Sequence, residues 1–164
     1  MKTIETTRLR LRPRTLADLE PIVAMDCDPE VRRYIGGTRD PVSHREEVRR
    51  NIVEGRPAPY FAWAIEWRDR PGFLGQCSLS RARQLAGTEL GWRLLAANWG
   101  QGIATEAAGA MLHHAVADLR IAAILALIHP DNAASRRVAE RIGLRLTSET
   151  AAINGVAQLV YRPA

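Results

Sequence analysis

Residues Trp99-Gly100-Gln101-Gly102-Ile103-Ala104-Thr105-Glu106 join a predicted strand to a long apolar segment that runs to about Leu119. The two glycines let the backbone approach a ligand closely, and a helix is predicted to begin directly after them. Free N–H groups and the positive end of the helix dipole make such a helix start an anion site. On its own, a Gly-x-Gly pair is more often a turn that merely begins a helix, so both interpretations stay open at this point.

The same stretch excludes two common phosphate-binding motifs. Ala104 and Thr105 follow Gly102, so the spacing is not that of the dinucleotide loop Gly-x-Gly-x-x-Gly. The Gly-Lys-Ser/Thr signature of a P-loop is also missing from the sequence.

The segments upstream of this stretch predict one strand and then helices. A strand is predicted at residues 7–12, where arginine and leucine alternate as in a half-buried edge strand. Thr15, with Asp18 three residues later, predicts the start of a first helix. Pro29 suits the first position of a second, short helix, and Ser43 with Glu46 predicts a capping box for a third that runs to about residue 54.

The remaining segments complete an α/β sandwich with a mixed sheet. Antiparallel strands are predicted at residues 60–67, 73–80 and 88–95, and the apolar run at 122–128 predicts a strand buried on both faces. A helix is predicted from Ala133 to Ile142, ended by Gly143 as a C′ glycine, and Asn154-Gly155 predicts a hairpin. The order is β-αα(α)-βββ-α-β-α-ββ, without a repeat or linker, so residues 1–164 are expected to form a single domain.

Composition is that of an ordinary globular protein, with 46% hydrophobic and 25% charged residues in a chain of 164. No apolar run is long enough to span a bilayer, and the start lacks the apolar segment of a signal peptide, so a cytoplasmic protein is expected. Cys27 and Cys77 are isolated, and neither a disulfide framework nor a zinc site is expected.

The net charge is +5, and Lys2 is the only lysine among the 23 basic residues. Arginine suits phosphate recognition because its planar fork can bind two oxygens at once. The arginines are scattered along the chain, which favours a solvated surface over a nucleic-acid interface.

Residues 99–107 resemble the pyrophosphate-binding motif of the GNAT N-acetyltransferases, Gln/Arg-x-x-Gly-x-Gly/Ala, with Gly102 and Ala104 at its fourth and sixth positions. Trp99 replaces the usual Gln or Arg, as in the RimJ/RimL-like branch, where the stretch typically reads Trp-Gly-Lys-Gly-Tyr-Ala-Thr-Glu-Ala. Further resemblances to that branch lie, in its order and spacing, at residues 7–12, 28–31, 89–91, 132–138 and 154–155. The resemblance implies the GNAT fold, with a mostly antiparallel mixed sheet of about seven strands and helices on both faces.

The resemblance also implies a set of residues that bind acetyl-CoA. Backbone groups of Trp92, Arg93 and Leu94, at a splay between two neighbouring strands, would pair with the pantetheine arm. The N–H groups from Trp99 to Thr105 would hold the pyrophosphate, with help from the Thr105 hydroxyl. Asn132 would bond the pantetheine, although a helix N-cap is the alternative, and Arg136 or Arg137 would meet a CoA phosphate or else face solvent. The full set expected to contact the cofactor is Trp92, Arg93, Leu94, Trp99, Gly100, Gln101, Gly102, Ile103, Ala104, Thr105, Asn132 and Arg136.

The implied chemistry is direct attack of an amine on the thioester, without a metal or a cysteine nucleophile. Glu89 is the candidate base, acting directly or through water, with a surface or substrate-orienting carboxylate as the alternative. Many family members place a tyrosine seven residues after the Asn as proton donor; here that position is Ala139. Ser135 fills the donor role proposed for the branch, and a plain helix-surface serine is its alternative.

Three functions follow in order of preference. The first is N-acetyl transfer from acetyl-CoA to a protein N-terminus or a small amine, in a protein that the family resemblance allows to be a homodimer. The second is a catalytically weak acyl-CoA-binding or regulatory module, suggested by Ala139. The third is a basic RNA-associated protein. The acceptor pocket is expected between the first helices and residues 60–67.

Overall fold

The computed structural model describes residues 1–37, 39–55, 61–82 and 84–164. Its strands are β1 (Ile4–Glu5), β2 (Leu9–Pro13), β3 (Phe61–Trp67), β4 (Gly75–Arg81), β5 (Thr88–Leu94), β6 (Ile124–Ile128), β7 (Leu144–Ile153) and β8 (Val156–Pro163). Its α-helices are α1 (Leu19–Cys27), α2 (Pro29–Arg32), α3 (Pro41–Val53), α4 (Ile103–His113) and α5 (Ala133–Arg141). Short 3₁₀ turns cover Leu16–Asp18 and Ala96–Asn98, and a π-turn, His114–Asp118, extends α4.

The strands form one sheet in the order β1-β2-β3-β4-β5-β6-β8-β7. Neighbouring strands are antiparallel except for β5 and β6, which run parallel. The predicted mixed, mostly antiparallel sheet is therefore confirmed, and its eighth strand is the two-residue β1. Because β1 pairs with β2, the predicted edge strand at residues 7–12 is covered by a short extra strand.

The one parallel contact in the sheet is short. β5 and β6 pair only at Thr88↔Ile124 and Glu89↔Leu125. Beyond Glu89, β5 stays paired with β4 as far as Leu94↔Gly75, while β6 pairs with β8. The sheet is thus split at its centre, and the two halves separate from Glu89 onwards.

The core lies on the face of the sheet that α4 covers. Leu9 and Leu11 are fully buried and belong to the same cluster as Ile103 and Met111 of α4, which confirms the half-buried pattern of β2. Cys77 belongs to this cluster as well, and burial raises the pKa of its thiol to about 12, so it is a packing residue.

The opposite face, towards α1 and α3, carries ionic contacts. Arg12 of β2 donates to both oxygens of Asp18, at 2.8 and 2.9 Å, and its Nε donates to Glu66 at 2.8 Å. Burial opposes ionisation of Asp18, but the hydrogen bonds from Arg12 and the Thr15 N–H hold its pKa below the usual range. The predicted start of the first helix at Thr15 and Asp18 is confirmed in this way.

The predicted cap of the third helix is wrong. α3 begins at Pro41, three residues earlier than expected, and Asp40 is its N-cap, with a carboxylate that accepts from the Ser43 N–H at 2.8 Å. An aspartate followed by proline supplies both the cap acceptor and the favoured first helical residue, so it outcompetes the Ser43–Glu46 pair.

Other turns follow the sequence predictions. Gly143 (φ 92°) ends α5, and Asn154 (φ 51°) with Gly155 (φ 79°) forms the two-residue turn between β7 and β8. Both turn residues have left-handed backbone angles, as this type of hairpin requires. Of the predicted strand at residues 60–67, Tyr60 lies outside the described residues and the rest is β3. No helix among the described residues could cross a bilayer.

Candidate functional site

The loop between β5 and α4 is shaped by side chains that bond to the end of the sheet. Asn98 donates to the Leu74 carbonyl at 3.0 Å, and the Trp99 indole N–H donates to the Leu94 carbonyl at 3.2 Å. Gly100 (φ 77°) and Gly102 (φ 76°) both adopt the left-handed conformation, which turns the chain into α4. The predicted glycine turn before a helix is confirmed.

Hydrogen bonds from Thr6 and Arg8, near the N-terminus, fix the first turn of α4. The Glu106 carboxylate accepts from the Thr6 hydroxyl at 2.6 Å and from the N–H and Nε of Arg8 at 2.9 and 2.6 Å. Arg8 also donates to the Gln101 carbonyl at 3.1 Å. Burial opposes ionisation of Glu106, but these donors outweigh it and lower its pKa.

The N–H groups of the loop and of the start of α4 are available to a ligand. The first amide within α4 to find an intrahelical acceptor is that of Glu106, which bonds to the Gly102 carbonyl at 3.1 Å. Within the part of the chain that the structure describes, the amides of residues 100–105 donate to no protein acceptor. They lie at the positive end of an eleven-residue helix, the arrangement that binds phosphates.

A cavity of about 340 Å³ lies beside this loop, between β5, α2 and α5. The predicted site residues that line it are Trp92, Arg93, Leu94, Trp99, Gly100, Gly102, Ile103, Ala104, Thr105, Asn132 and Ser135. Its lining also contains Arg33, Arg137 and Arg141 against one carboxylate, Glu30, so the excess of positive charge suits an anionic ligand. Sequence reasoning overlooked Arg33 and Arg141, because nothing in the local pattern distinguishes them from surface arginines.

Two predicted residues are not brought to this cavity. Arg136 donates instead to the Tyr161 hydroxyl at 3.3 Å and to the Pro130 carbonyl at 3.4 Å. Adjacent positions on a helix point in different directions, so Arg137, with Arg141 one turn later, lines the cavity in its place. The side chain of Gln101 turns back to the Ala97 carbonyl at 3.3 Å.

Beyond Glu89, the edge of β5 that faces the split between β5 and β6 carries peptide groups that pair with no strand, although the Leu94 carbonyl accepts from the Trp99 indole. Bonds from Leu95 N–H to Leu74 O and from Ala82 N–H to Gly87 O set the phase of the β4–β5 ladder. Because antiparallel pairs alternate, Trp92 and Leu94 direct their peptide groups at the split, whereas the Arg93 peptide faces its partner Gln76 on β4. Arg93 therefore contributes its side chain, not its backbone, to the cavity.

Asn132 and Ser135 lie at the start of α5, where both cavities of the site can reach them. Asn132 caps the helix, since its Oδ1 accepts from the Ser135 N–H at 3.1 Å. Neither the Asn132 Nδ2 nor the Ser135 hydroxyl bonds to another described residue. The N-cap interpretation is confirmed, and it leaves the amide donor of the same side chain free to bind a ligand.

A second cavity, of about 410 Å³, lies on the other side of the split between β5 and β6. Glu89 lines it, and the neutral side chains of Gln76, Ser78, Ser80 and Gln158 line it as well. Glu89 is partly buried and is the only carboxylate among its described lining residues. Apolar side chains such as Ile153 and Val156 complete the lining, and the polar groups among them suit a small hydrophilic substrate.

The two cavities meet at the split in the sheet. Their shared lining residues are Arg33, Tyr34, Ile35, Trp92, Arg93, Asn132 and Ser135. Tyr34 packs on His129, with ring centroids 5.3 Å apart, and so joins the segment after α2 to the end of β6. The site is thus one crevice: arginines dominate the end beside the glycine loop, neutral polar groups and Glu89 line the other end, and Arg33 and Arg93 lie between the two. No cluster of metal-ligating side chains occurs among the described residues.

Comparison with known proteins identifies the family. The acetyltransferase (GNAT) domain model matches residues 8–145. The uncharacterized protein YkkB of Bacillus subtilis (strain 168) is 33% identical over 142 residues, which are 85% of this chain and 83% of that protein. The acetyltransferase of Agrobacterium tumefaciens str. C58 is 28% identical and has a TM-score of 0.85, over 100% of this chain and 95% of that one.

The same fold occurs in a protein of the RimJ type. RimJ of Mycobacterium smegmatis, solved in complex with CoA-disulfide, has a TM-score of 0.76 at 20% identity, over 98% of this chain and 86% of that one. At this identity the likeness concerns the fold alone. The family match spans both the split sheet and the glycine loop, and this chain therefore belongs to the GNAT family as an acyl-CoA-dependent acetyltransferase.

Proposed function

We propose that this single domain transfers an acetyl group from acetyl-CoA to a primary amine, by direct attack while both substrates are bound. The observation that carries the proposal is the junction of the two cavities at the split in the sheet. One cavity offers amides and arginines to a phosphorylated ligand, and the other offers a carboxylate and neutral polar groups to an amine. A junction between them is where an acyl group could pass from one ligand to the other.

The cationic cavity fits acetyl-CoA. Loop amides and the Thr105 hydroxyl would hold the pyrophosphate, and Arg137 and Arg141 would bind further phosphate oxygens. Peptide groups of Trp92 and Leu94 would pair with the pantetheine amides in the manner of an added strand, and the Asn132 Nδ2 would donate to the same arm. When bound, acetyl-CoA supplies a thioester whose carbonyl carbon is open to attack.

The polar cavity fits the amine. In the proposed reaction Glu89, through a water molecule, accepts the proton that the ammonium group must lose before its nitrogen can attack. A C–N bond forms at the carbonyl carbon and the C–S bond breaks. The Ser135 hydroxyl gives its proton to the departing thiolate and takes up the proton that the new amide nitrogen loses. Ser135 lines both cavities, which supports a role at the point where the substrates meet.

A screen of acceptors tests this function. The purified protein is mixed with acetyl-CoA and a panel of small amines and short peptides, and CoA thiol release is compared with product mass. Acetylated product from at least one amine is expected. Failure to bind acetyl-CoA would overturn the proposal, and binding without product from any acceptor would favour the acyl-CoA-binding module.

A further inference from the structure

Arg93 is held in an unusual position for an arginine on a central strand. Its side chain lies at the junction of the two cavities and is one-quarter exposed. Its Nη1 donates to Oδ1 of Asp26, a buried carboxylate on α1. The guanidinium is thereby fixed in direction across the split, at the place where the acceptor meets the donor.

A chain of hydrogen bonds fixes Asp26 in turn. The second oxygen of Asp26 lies 2.9 Å from Nε2 of the buried His44 on α3, and Nδ1 of His44 lies 3.0 Å from Nη1 of Arg39. A carboxylate oxygen accepts, so His44 donates from Nε2 to Asp26, and its Nδ1 faces both Arg39 and the Glu47 carboxylate, 3.4 Å away. Arg93 is therefore oriented by groups from two helices.

The guanidinium still has donors to offer. Its Nε is buried without a hydrogen-bond partner, and its Nη2 has no acceptor among the residues that the structure describes. Arg33 also lines both cavities, and burial together with the charges of Arg39 and Arg93 lowers the pKa of Arg32. Positive charge is thus concentrated around Asp26, and an anionic group on the substrate would relieve it.

Glu89 and Arg93 stand on the same face of β5, four residues apart, so their Cα atoms are separated by about 13 Å. Both side chains line the polar cavity, one with negative charge and the other with positive charge. An acceptor with an ammonium group at one end and an anionic group at the other would match this arrangement. The size of the cavity, about 410 Å³, suits a small molecule.

We propose that Arg93 is a specificity-determining residue and that the acceptors are small amines which carry a carboxylate. The inference rests on the proposed function and extends it, because it names the substrate class of the same site. The carboxylate binds the free donors of Arg93, and the amine is placed towards Glu89.

The test compares amino acids with their neutral amides. Glycine, 4-aminobutyrate and 6-aminohexanoate are each paired with the corresponding primary amide, at saturating acetyl-CoA, so that chain length reports the distance between the two charged ends. Wild-type protein is expected to favour the acid over the amide in kcat/KM by at least about tenfold for one chain length, mainly through KM. Arg93→Gln should abolish this preference, and Arg93→Lys should restore part of it.

Two further variants separate specificity from folding. Arg93→Gln leaves the buried Asp26 carboxylate without the arginine that pairs with it, which destabilises the fold. The double variant R93Q/D26N removes both charges. Its acid–amide preference is measured beside that of the single variant, once thermal melts show that each protein is folded. Arg49→Gln is the matched control, since Arg49 is exposed on α3 and pairs only loosely with Glu46, at 3.7 Å. The control should keep the wild-type preference.

Calorimetry measures how tightly each acid and its amide bind to the CoA-loaded protein. This measurement distinguishes a failure of the carboxylate site from a failure of acetyl transfer. Tighter binding of the acids without turnover would contradict acetyl transfer and support the carboxylate site. Equal binding and turnover of acids and amides in the wild type would overturn the carboxylate site. An intact preference for acids in folded R93Q/D26N would overturn it as well. If that variant lost acetyl-CoA affinity while the preference stayed unchanged, Arg93 would be assigned to the binding of acetyl-CoA instead.

Discussion

Glu106, in the first turn of α4, accepts hydrogen bonds from both the backbone N–H and the Nε of Arg8, at 2.9 and 2.6 Å, across 98 residues of sequence. Arg8 continues from there to the Gln101 carbonyl. The loop that is proposed to bind the pyrophosphate is therefore fixed by residues that do not line the cavity. Preorganised amides bind an anion more tightly because less ordering remains to be done on binding.

Glu106→Gln is expected to loosen this support. The amide keeps one acceptor and loses the charge, so stability should fall by about 1–2 kcal/mol and acetyl-CoA should bind roughly tenfold more weakly. Denaturant unfolding and calorimetry measure the two effects. Glu46→Gln, an exposed carboxylate on α3, is the control, and equal effects from both variants would contradict the role of Glu106.

The stability contribution of Glu106 should also depend on pH. Its folded-state pKa is lowered from 4.5, so the contribution is complete above about pH 4.5 and is lost as the pH falls through the folded-state value. Unfolding free energy measured from pH 6 to pH 3 should therefore fall less steeply in Glu106→Gln than in the wild type. Identical slopes would show that Glu106 gains nothing from its donors.

Two substitutions of Gly102 separate the effect of its backbone conformation from the effect of charge in the loop. Gly102→Ala places a Cβ at φ 76°, 3.4 Å from Nη2 of Arg8, and should cost about 1–2 kcal/mol of stability while acetyl-CoA still binds. Gly102→Glu adds a negative charge to the proposed pyrophosphate site and should abolish binding detectable by calorimetry. If the two variants bound acetyl-CoA equally well, the loop would not be the phosphate site.

Asn132 caps α5 and is also proposed to bind acetyl-CoA, and substitution can separate the two roles. Asn132→Asp keeps an oxygen that accepts from the Ser135 N–H and removes the Nδ2 donor, so stability should hold while acetyl-CoA binds several-fold more weakly. Asn132→Ala should weaken binding and also cost about 1 kcal/mol through loss of the cap. Unchanged affinity in a folded Asn132→Asp protein would restrict this residue to capping.

Glu89→Gln tests the proposed base. Turnover should fall by roughly 10²-fold or more, while acetyl-CoA affinity stays close to that of the wild type, because Glu89 lines the other cavity. The acidic limb of the pH–rate profile should disappear with the carboxylate. A profile of unchanged shape would exclude Glu89 as the base.

Ser135→Ala tests the proposed proton donor. Its backbone N–H, which the cap uses, is unaffected, so the fold should be unchanged and kcat should drop at least about tenfold with little effect on the KM for acetyl-CoA. Ser43→Ala, on exposed α3, provides the comparison. Equal kcat values for wild type and Ser135→Ala would leave the thiolate to be protonated by water.

Much of the fold follows from local signals in the sequence. The Asn154-Gly155 turn, the C-terminal glycine of α5 and the alternation at Leu9 and Leu11 each allow one conformation at low cost, and each is confirmed. The cap of α3 was mispredicted, because two local signals competed and Asp40-Pro41 was the stronger. β1 is too short to have any periodicity of its own.

The site was less predictable than the fold, because its geometry depends on contacts between distant segments. The loop at residues 99–105 could be found from its glycines and the helix after it. The pairing of Arg93 with Asp26 and the packing of Tyr34 on His129 join residues that no local pattern connects. Arg136 bonds to Tyr161 whereas Arg137 lines the cavity, because adjacent residues lie on different faces of α5. Which face meets the cavity depends on how α5 packs on the rest of the fold.

Acetyl transfer within a complex of both substrates is tested most directly by initial rates of CoA release, with acetyl-CoA and a responsive amine varied together. The joined cavities predict amine-dependent release and double-reciprocal lines that intersect. Parallel lines, which indicate a covalent acetyl-enzyme, or release at the same rate without amine would contradict direct transfer.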